Sequence, residues 1–473
     1  MMPFMPVVLW TDALVFLLLA LIGGFAAYAA RHEHMRAPWR RVARSRVGVA
    51  TLVVLGGYVL VGLLDTVHFR LKLDQPVEQV GEVRYAPEVL SLLDLLLADL
   101  RERQEKTYSA PFATHLFVKE AIEQPGGSLI RDFPRLEHGG AHLDDPARQR
   151  ALDITWRALW GAVQGLVIWA IVVAGIIALV ARARGETQTR TRLAMLRGRT
   201  EVPWRTALIM LGVLILLAAI AGELASKYHI LGTDKVGEDV FYQTLKSIRT
   251  GLLIGTLTTL VMLPAALLLG IMAGYFGGWV DDVIQYLYTT LNSIPGVLLI
   301  AAAILLLQVY MSNNADQFAS LVERADLRLL FLTLILGVTS WTGLCRLLRG
   351  ETLKLREADY VQASTALGVG HFTLIGRHIL PNVMHIVLIT LVLDFSGLVL
   401  AEAVLSYINI GVDPTMHSWG NMINSARLEL ARDPVVWWSL TAAFVFMFAL
   451  VLAANLLADV VRDAFDPRLR GAA

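Results

Sequence analysis

The sequence predicts an all-α membrane protein that crosses the bilayer several times. Hydrophobic residues make up 56% of the 473 residues and charged residues only 17%, whereas a soluble globular chain carries about 25% charged residues. Long apolar runs recur along the chain, each close to the roughly 20 residues that a helix needs to cross the hydrocarbon core. The 41 basic and 40 acidic residues nearly cancel, so net charge gives no reason to expect nucleic-acid binding.

Nine apolar stretches are long enough to be transmembrane helices. They lie at residues 8–30, 47–64, 158–180, 206–225, 252–276, 283–308, 329–348, 383–403 and 435–458. The first stretch has no basic leader and no small-residue cleavage site, so we expect a membrane anchor and not a signal peptide.

Basic residues beside these stretches predict the orientation of the chain, because cytoplasmic loops are rich in lysine and arginine. With the N-terminus outside and the C-terminus inside, the cytoplasmic segments hold 21 such residues and the short outer loops hold 8. The predicted cytoplasmic loop at residues 277–282 departs from this pattern, since it contains two aspartates and no basic residue. We therefore expect an extracytoplasmic N-terminus and a cytoplasmic C-terminus.

The predicted helices divide the chain into four parts. Two extra helices occupy residues 1–64, an extracytoplasmic domain 65–157, a third extra helix with a basic cytoplasmic linker 158–204, and a six-helix core 205–473. Within the second part, residues 87–103 are predicted to form one amphipathic helix, because a proline opens them and mixed charges close them.

Motifs for catalysis and nucleotide binding are missing from the sequence. It contains no GxxxxGK[ST] phosphate-binding loop and no HExxH or GxSxG pattern. Its single cysteine, Cys345, excludes an internal disulfide and a cysteine-based zinc site. His138 and His142 have the spacing of metal ligands, but two glycines lie between them and no third ligand is evident, which favours ordinary loop histidines. We expect neither an enzyme nor a metal or cofactor site.

The most informative stretch is residues 356–382. A helix-favouring run is broken by Gly368 and Gly370. A second short helix, at about residues 371–379, then leads to Pro381, which opens the next span at a tolerated position. Two short helices joined at a glycine turn and attached to a transmembrane helix suit a docking element that transmits force. On composition alone, an ordinary interfacial helix fits equally well.

Residues 356–382 resemble the EAA loop of ATP-binding-cassette importer permeases. The resemblance is carried by Glu357-Ala358-Asp359, Ala363, Gly368 and Ile379-Leu380-Pro381. In that family the loop seats in a groove of an ATPase subunit. The resemblance therefore implies an ATPase-coupling role for Glu357, Ala358, Asp359, Ala363, Leu367, Gly368, Gly370, His371 and Pro381.

Flanking motifs narrow the resemblance to the second permease subunit of the dipeptide, oligopeptide and nickel class. Residues 229–240 resemble its LGTDxxGRDV motif, which we call the LGTD motif, through Gly232, Thr233, Asp234, Gly237 and Asp239. Three further matches follow in order: residues 273–279 to its second cytoplasmic loop, 401–422 to its outer loop and 455–470 to its C-terminus. The similarity covers roughly residues 200–470 and six of the nine predicted spans.

Three features depart from the family pattern. Glu238 stands where the LGTD motif usually has arginine, so we expect a rearranged charge interaction there. Asn409 replaces a usual glycine in the outer loop, and we expect a changed local bend. Residues 1–200 add three spans and the external domain, which the matched motifs do not explain.

The resemblance implies half of a translocation pore in a bacterial inner membrane. A homologous permease would supply the other half, two cytoplasmic ATPases would bind ATP and Mg²⁺, and an extracytoplasmic binding protein would deliver the substrate. The chain itself would bind no cofactor and no nucleic acid. Dipeptides, oligopeptides, nickel complexes and other solutes share this architecture, so the substrate stays open.

Four residues are candidates for the translocation path or outer gate: Asp394, Glu402, Asn292 and Trp419. Asp394 lies near the middle of the eighth predicted span, where a carboxylate costs about 3 kcal/mol. It should therefore line the path, or be satisfied by a polar group such as Asn292 or one on the partner permease. Glu402 matches a family glutamate near the outer end of the same span and is expected to stabilise the outer loop.

Two other classes of function are compatible with a polytopic protein. An ion-coupled secondary transporter would show interior carboxylates and discontinuous helices in two repeated halves, and the sequence offers Asp394 but no inverted repeat. A membrane sensor or scaffold would use the external domain and would not need residues 356–382.

Overall fold

A computed structural model describes residues 4–72, 85–123, 129–198, 200–314 and 320–465. Within these ranges, nine helices are long and apolar enough to cross a membrane, which confirms the predicted all-α polytopic class. They are α1 (Trp10–Arg31), α3 (Arg46–Thr66), α6 (Pro146–Arg184), α8 (Trp204–Ala225), α9 (Val240–Phe276), α11 (Gly296–Asn313), α12 (Leu321–Arg356), α15 (Leu380–Tyr407, continuous with a helical stretch from His371) and α17 (Trp438–Phe465).

Shorter elements connect these helices. The helices are α2 (Glu33–Arg44), α4 (Leu92–Leu96), α5 (Ala98–Glu102), α7 (Gln188–Leu196), α10 (Gly278–Ser293), α13 (Asp359–Ala366), α14 (His371–Leu374), a π-helical turn (Ile375–Ile379) and α16 (Trp419–Glu429). The strands are β1 (Phe4–Val7), β2 (His68–Leu71), β3 (Leu90–Ser91), β4 (Glu120–Glu123) and β5 (Leu129–Asp132). Strands β1, β2 and β3 form an antiparallel sheet in that order, with Phe4 opposite Leu71, and β4 and β5 form a hairpin.

The predicted sixth span, residues 283–308, is wrong as one helix. It is split into α10 and α11, because Ile294 is extended (φ −89°, ψ 128°) before Pro295. Proline disfavours the α conformation in the residue before it and has no N–H to continue a helix. The membrane-crossing part is therefore α11, and Asn292 lies in the last turn of α10, outside that span.

The predicted helix at residues 87–103 is also wrong. The chain is extended at β3 and then forms the two short helices α4 and α5. Ser91 sets the start, because its hydroxyl accepts the Asp94 N–H at 3.1 Å while the Asp94 carboxylate accepts the Ser91 N–H at 2.8 Å. This capping box begins the helix at Leu92, five residues after the proline.

Helix α6 begins earlier than the predicted span at residues 158–180. It runs for 39 residues, with Pro146 in its first turn after Asp145. At 1.5 Å per residue its length is roughly 58 Å, about twice the thickness of a hydrocarbon core. Twelve helical residues therefore precede residue 158, and they extend the third extra helix into the part of the chain predicted as the external domain.

The chain forms two compact units. The first consists of Met1–Val7, Ala43–Thr250 and His417–Ala453. In it, α6 packs closely on α8 at Gly161, where an added Cβ would lie 2.9 Å from the Ile220 Cα. Small residues allow such close packing of membrane helices.

Residues 67–145, which we call the insert, are part of the first unit. Leu100 of the insert is buried in one apolar cluster with Leu224, Ile230 and Tyr242. The insert thus shares a core with the end of α8 and the start of α9 and is not a separate body.

The second unit consists of Val8–Val42, Gly251–Met416 and Ala454–Ala473. Its core is formed by buried residues of α9, α12, α13 and α15, including Leu344, Leu348 and Val383. The extra helix α1 joins this unit through Thr11, whose backbone N–H lies 3.2 Å from an Asp326 carboxylate oxygen and whose hydroxyl donates to the other. Both units therefore contain residues from the N-terminal parts (1–204) and from the predicted six-helix core (205–473).

Candidate functional site

The segment at residues 356–382, which we call the coupling segment, lies between α12 and α15 in the second unit. Helix α12 ends at Arg356, α13 begins at Asp359, and Gly370 is the N-cap of α14. Pro381 is the second residue of α15, and it follows a π-helical turn in which the regular i→i−4 hydrogen bonds are already interrupted. The second short helix differs from its prediction, because residues 375–379 form a π-helical turn that runs directly into α15.

Gly368 supplies the turn between the two short helices. Its φ is +77°, a left-handed conformation that glycine adopts without the penalty of a Cβ. The N–H of Gly368 donates to Thr365 O at 3.0 Å and that of Val369 donates to Ser364 O at 3.1 Å, which closes the end of α13. The turn is held by these backbone bonds, and no described atom lies within 4 Å of where a Gly368 Cβ would stand.

The coupling segment has a buried base and an exposed apolar tip. Val361, Leu374 and Ile379 are buried in the core of the second unit. In contrast, Leu367 is 84% exposed and Phe372 is 91% exposed. Among the described residues these are the two most exposed large apolar side chains.

The other coupling candidates lie around this tip or at its ends. Ala363, Gly368, Gly370 and His371 are exposed, like Pro381, which follows them. Glu357 lies at the start of the segment, where it pairs with Arg356 at 3.2 Å and accepts a 3.1 Å hydrogen bond from Gln362. The remaining two candidates, Ala358 and Asp359, form the N-cap and first residue of α13.

Polar contacts attach the coupling segment to the helices beside it. The His371 Nδ1 lies 2.8 Å from the Tyr275 hydroxyl at the end of α9. On α12, Arg349 donates two hydrogen bonds to Asp281, at 2.6 and 2.7 Å, and its guanidinium lowers the pKa of that carboxyl. The bidentate geometry pairs one of the two aspartates of residues 277–282 with a base on α12, and these residues form the start of α10 instead of the predicted loop.

Phe372 is a candidate that sequence reasoning missed. It stands between His371 and the start of the buried part of the segment, and its side chain is almost fully exposed. The sequence feature that could have identified Phe372 is an aromatic residue beside a glycine turn, two residues before Leu374.

The LGTD motif lies in the first unit, where the insert covers it. Thr233 accepts the Ser109 N–H at 2.7 Å and donates to Thr107 O at 2.8 Å. Gly232 and Gly237 have φ values of +71° and +78°. An added Cβ would lie 2.4 Å from Ser109 O and 1.6 Å from Glu105 O respectively, so both glycines are needed for the insert to approach.

Asp234 and Asp239 organise the backbone of the motif. Asp234 accepts the N–H groups of Val236 and Glu238, each at 2.9 Å. Asp239 accepts those of Phe241 and Tyr242, at 2.8 and 3.1 Å, and so caps the first turn of α9.

A buried charge cluster joins the insert to the motif. His229 lies 2.7 Å from Asp239 through Nδ1 and 3.3 Å from Glu105 through Nε2. The Glu105 carboxylate also accepts the backbone N–H groups of Glu137, His138 and Gly139, at 2.9–3.0 Å.

In this cluster, hydrogen bonds and paired charges shift the pKa values more strongly than burial does. Burial alone would raise the pKa of Glu105, but the hydrogen bonds from His229 and the three backbone groups lower it to about 2. Burial alone would lower the pKa of His229, but Asp239 and Glu105 together raise it to about 9. A charged histidine therefore lies between two carboxylates at neutral pH.

A second buried charge cluster, formed by one lysine and two aspartates, links α9 to α3 and to the insert. The Lys246 ammonium lies 2.6 Å from Asp65 at the end of α3 and 2.9 Å from Asp94 in the insert. Burial opposes ionisation of Asp94, but Lys246, the Ser91 N–H and Tyr242 lower its pKa to about 2. Sequence reasoning counted Lys246 only as an outer-loop base, because its partners are 152 and 181 residues away.

Glu238, which stands where the family motif usually has arginine, shares a hydrogen-bond donor with Asp234. Gln243 donates to both Asp234 and Glu238 at 2.8 Å and so bridges two carboxylates. Burial, together with the charges of Asp234 and Asp239, raises the pKa of Glu238 to about 7.

Asn409 stands where the family usually has glycine, and its backbone is left-handed. Its φ is +63°, which is the left-handed region that glycine adopts readily and that asparagine tolerates better than other residues. The local bend is therefore compatible with either residue.

The four path or gate candidates occupy different environments. Asn292 accepts a 3.0 Å hydrogen bond from Thr342 and lies in a cleft of about 670 Å³. Glu402 is buried and accepts a 2.7 Å bond from Ser406. Trp419, in the first unit, is buried and donates to Thr244 O at 3.3 Å.

Asp394 is half-buried on α15. Among the described residues, no hydrogen bond or ion pair to its carboxylate is formed, and Asn292 bonds to Thr342 instead. The C-terminal motif residues 466–470 lie outside the described residues.

Comparison with known proteins matches this chain to one family of membrane transport components and to several bacterial permeases. The family described as "Binding-protein-dependent transport system inner membrane component" matches residues 266–471. The glutathione transport system permease protein GsiD of Pectobacterium atrosepticum is 31% identical over 247 residues, covering 52% of this chain and 74% of the relative. The dipeptide permease DppC of Bacillus subtilis is 30% identical over 51% and 69% of the two chains. The oligopeptide permease OppC of the same species is 29% identical over 59% and 89%.

Proposed function

The chain belongs to the family of binding-protein-dependent transport system inner membrane components, and we propose that it forms half of the pore of an ATP-driven importer for peptides or related solutes. A homologous permease would complete the pore, two ATPase subunits would bind ATP and Mg²⁺, and an extracytoplasmic binding protein would deliver substrate. The relatives support this proposal, because their names are those of permeases for glutathione, dipeptides and oligopeptides. Membership in a transporter family also favours a permease over the sensor or scaffold alternative.

The coupling segment is the proposed contact to the ATPase. The supporting observation is its exposed apolar tip, Leu367 and Phe372, on a base that is buried in the second unit. The tip would insert into a groove on the ATPase. Its displacement would pass to α15, which continues the segment without a break. Such switching requires rigid elements with two discrete packings.

The proposed orientation puts the coupling segment and the C-terminus in the cytoplasm. The N-terminus, the insert and the LGTD motif would then lie outside. In this arrangement the insert covers the extracytoplasmic end of α9, close to where a binding protein would deliver substrate.

Reconstitution tests the proposed function. The chain, its partner permease and the ATPases are placed in proteoliposomes, and ATP hydrolysis is measured with and without loaded binding protein. We expect hydrolysis that loaded binding protein stimulates, and none from the chain alone, because it has no phosphate-binding loop. Hydrolysis by the purified chain, with contamination excluded, would contradict the proposal.

The variant Gly368→Val tests the coupling role. Because φ is +77° at this position, a β-branched residue is strained there by about 1–3 kcal/mol, and the turn should change. We expect uptake of labelled peptide to fall at least fivefold while the protein still inserts in the membrane. Gly198→Val is the matched control, since Gly198 also has a positive φ of 64° and open space around it. Equal uptake by the two variants would argue against coupling.

The variant Asp394→Asn separates the two interpretations of this intramembrane carboxylate. If Asp394 lines the path, the variant should change the KM or rate of uptake several-fold while the complex stays assembled. If it pairs helices with the partner permease, the variant should lower the thermal stability of the complex and leave transport near normal. Asp144→Asn, at an exposed site in the insert, controls for the loss of one charge. If Asp394→Asn matched this control in both uptake kinetics and thermal stability, both proposed roles of Asp394 would be wrong.

A further inference from the structure

The first unit contains a cleft that the coupling segment, the path candidates and the LGTD motif do not use. Its volume is about 750 Å³, within the range of roughly 300–1,000 Å³ for small-molecule sites. One wall comes from the insert, between Tyr108 and Phe133, and the other from the loop between α16 and α17, at Arg432–Val436. Both walls lie outside the candidate membrane spans.

Tyr108, Phe117 and Phe133 are among the residues that line the cleft, and Tyr108 and Phe117 are held by contacts with neighbouring side chains. Phe117 packs edge-on against Trp438, with ring centroids 4.9 Å apart. The Trp438 indole N–H donates to Thr233 O at 2.9 Å, so this wall is attached to the LGTD motif. Tyr108 is buried beneath the Arg432 guanidinium, which lies 5.1 Å from its ring.

The charges in the cleft are unbalanced. Arg432 pairs with Glu429 and is neutralised. The Lys119 ammonium lies 5.2 Å from the centroid of the Phe133 ring, and the side chains of Lys119 and Arg131 form no ion pair or hydrogen bond with any residue in the described ranges. Against these two bases stands one carboxylate, Asp433.

We propose that this cleft binds short apolar peptides that carry a free C-terminal carboxylate. Lys119 and Arg131 receive the carboxylate, because an unpaired ammonium and guanidinium form the strongest hydrogen bonds with such a group. Phe117 and Phe133 contact the apolar side chains of the peptide. The residues that line the cleft indicate a ligand that is negatively charged and apolar. The identification of this ligand as a peptide rests on the proposed function.

A binding measurement on the full chain in nanodiscs, without ATPases or binding protein, tests this inference. Isothermal titration uses the tripeptide Leu-Leu-Phe as the free acid and as the C-terminal amide. We expect the acid to bind at least tenfold more tightly than the amide. The double variant Lys119→Gln/Arg131→Gln should bind the acid at least tenfold more weakly than the unaltered chain.

The matched control is Arg148→Gln/Arg150→Gln, which removes two exposed basic groups at the start of α6, outside the cleft, and should bind as the unaltered chain does. Equal binding of acid and amide, no binding at all, or equal loss in both double variants would overturn the inference. Displacement of the tripeptide by decanoate at equal concentration would assign the cleft to fatty carboxylates and overturn the peptide assignment. Because the assay needs no ATPase, absent binding beside intact ATP-driven uptake would remove this inference alone.

Discussion

Replacing Glu105 by alanine is expected to lower the free energy of unfolding of the first unit by about 3–5 kcal/mol. The change leaves the charged His229 with only Asp239 and removes the acceptor of three backbone N–H groups. Buried groups that lose a partner carry the full penalty of their desolvation. The measurement is the thermal unfolding of the detergent-solubilised chain, followed by loss of the monodisperse peak in size-exclusion chromatography.

Glu120→Ala is the matched control for this variant. The Glu120 carboxylate pairs with Lys106 at 2.5 Å, and the lysine side chain is 68% exposed. Exposed ion pairs contribute only about 0–1 kcal/mol, so the control should unfold close to the unaltered chain. If both variants unfolded at the same temperature, the buried cluster would not hold the insert.

The same cluster predicts how stability depends on pH. The pKa of Glu105 is lowered from 4.5 to about 2, so its contribution is complete above pH 4.5 and is lost as the pH falls towards 2. The pKa of His229 is raised from 6.5 to about 9, so its contribution is complete below pH 6.5 and is lost as the pH rises through 9. The contribution of the cluster should therefore be greatest between about pH 4.5 and 6.5, and Glu105→Gln should remove the decline on the acid side.

Replacing Gly237 by alanine is expected to have a comparably large effect. The new Cβ would lie 1.6 Å from Glu105 O, a backbone atom that cannot move alone, at a φ of +78°. The insert would have to separate from the LGTD motif and give up the Glu105 N–H bond to Gly237 O at 2.9 Å. We expect destabilisation of several kcal/mol and rapid cleavage of the insert in limited proteolysis.

Gly185→Ala separates steric overlap from backbone strain in this experiment. Gly185 also has a positive φ, of 65°, but open space around it, so alanine there should cost about 1 kcal/mol. Proteolysis of Gly237→Ala at the rate of this control would show that the insert tolerates the overlap, contrary to our expectation.

The membrane helices were predictable because a long apolar run has few alternatives to a spanning helix. The sixth span was predicted wrongly as one helix, because Pro295 separates α10, which carries several polar residues, from the apolar α11. The glycine turn of the coupling segment was predictable, because a glycine that follows a helix-favouring run commonly ends the helix in the left-handed conformation.

The contacts of the insert could not be predicted in the same way. Glu105 and His229 are 124 residues apart, and neither has a neighbour in sequence that indicates the other. Glu105 is one of several acidic residues in a charged stretch, and only the folded chain shows that it is buried, whereas the nearby Asp99 and Glu102 are exposed. The exposed Phe372 escaped notice for the opposite reason, because apolar residues are expected to be buried.

The bond between Thr11 and Asp326 has a consequence for how the chain is made. The two residues are 315 positions apart, so at about 5–20 residues per second α1 leaves the ribosome roughly 15–60 s before α12 exists. During that interval the first helix must reside in the membrane, or be sheltered by the insertion machinery, without this partner. Synthesis that stops before residue 321 would release a helix whose polar end lacks the contact that holds it in the finished protein.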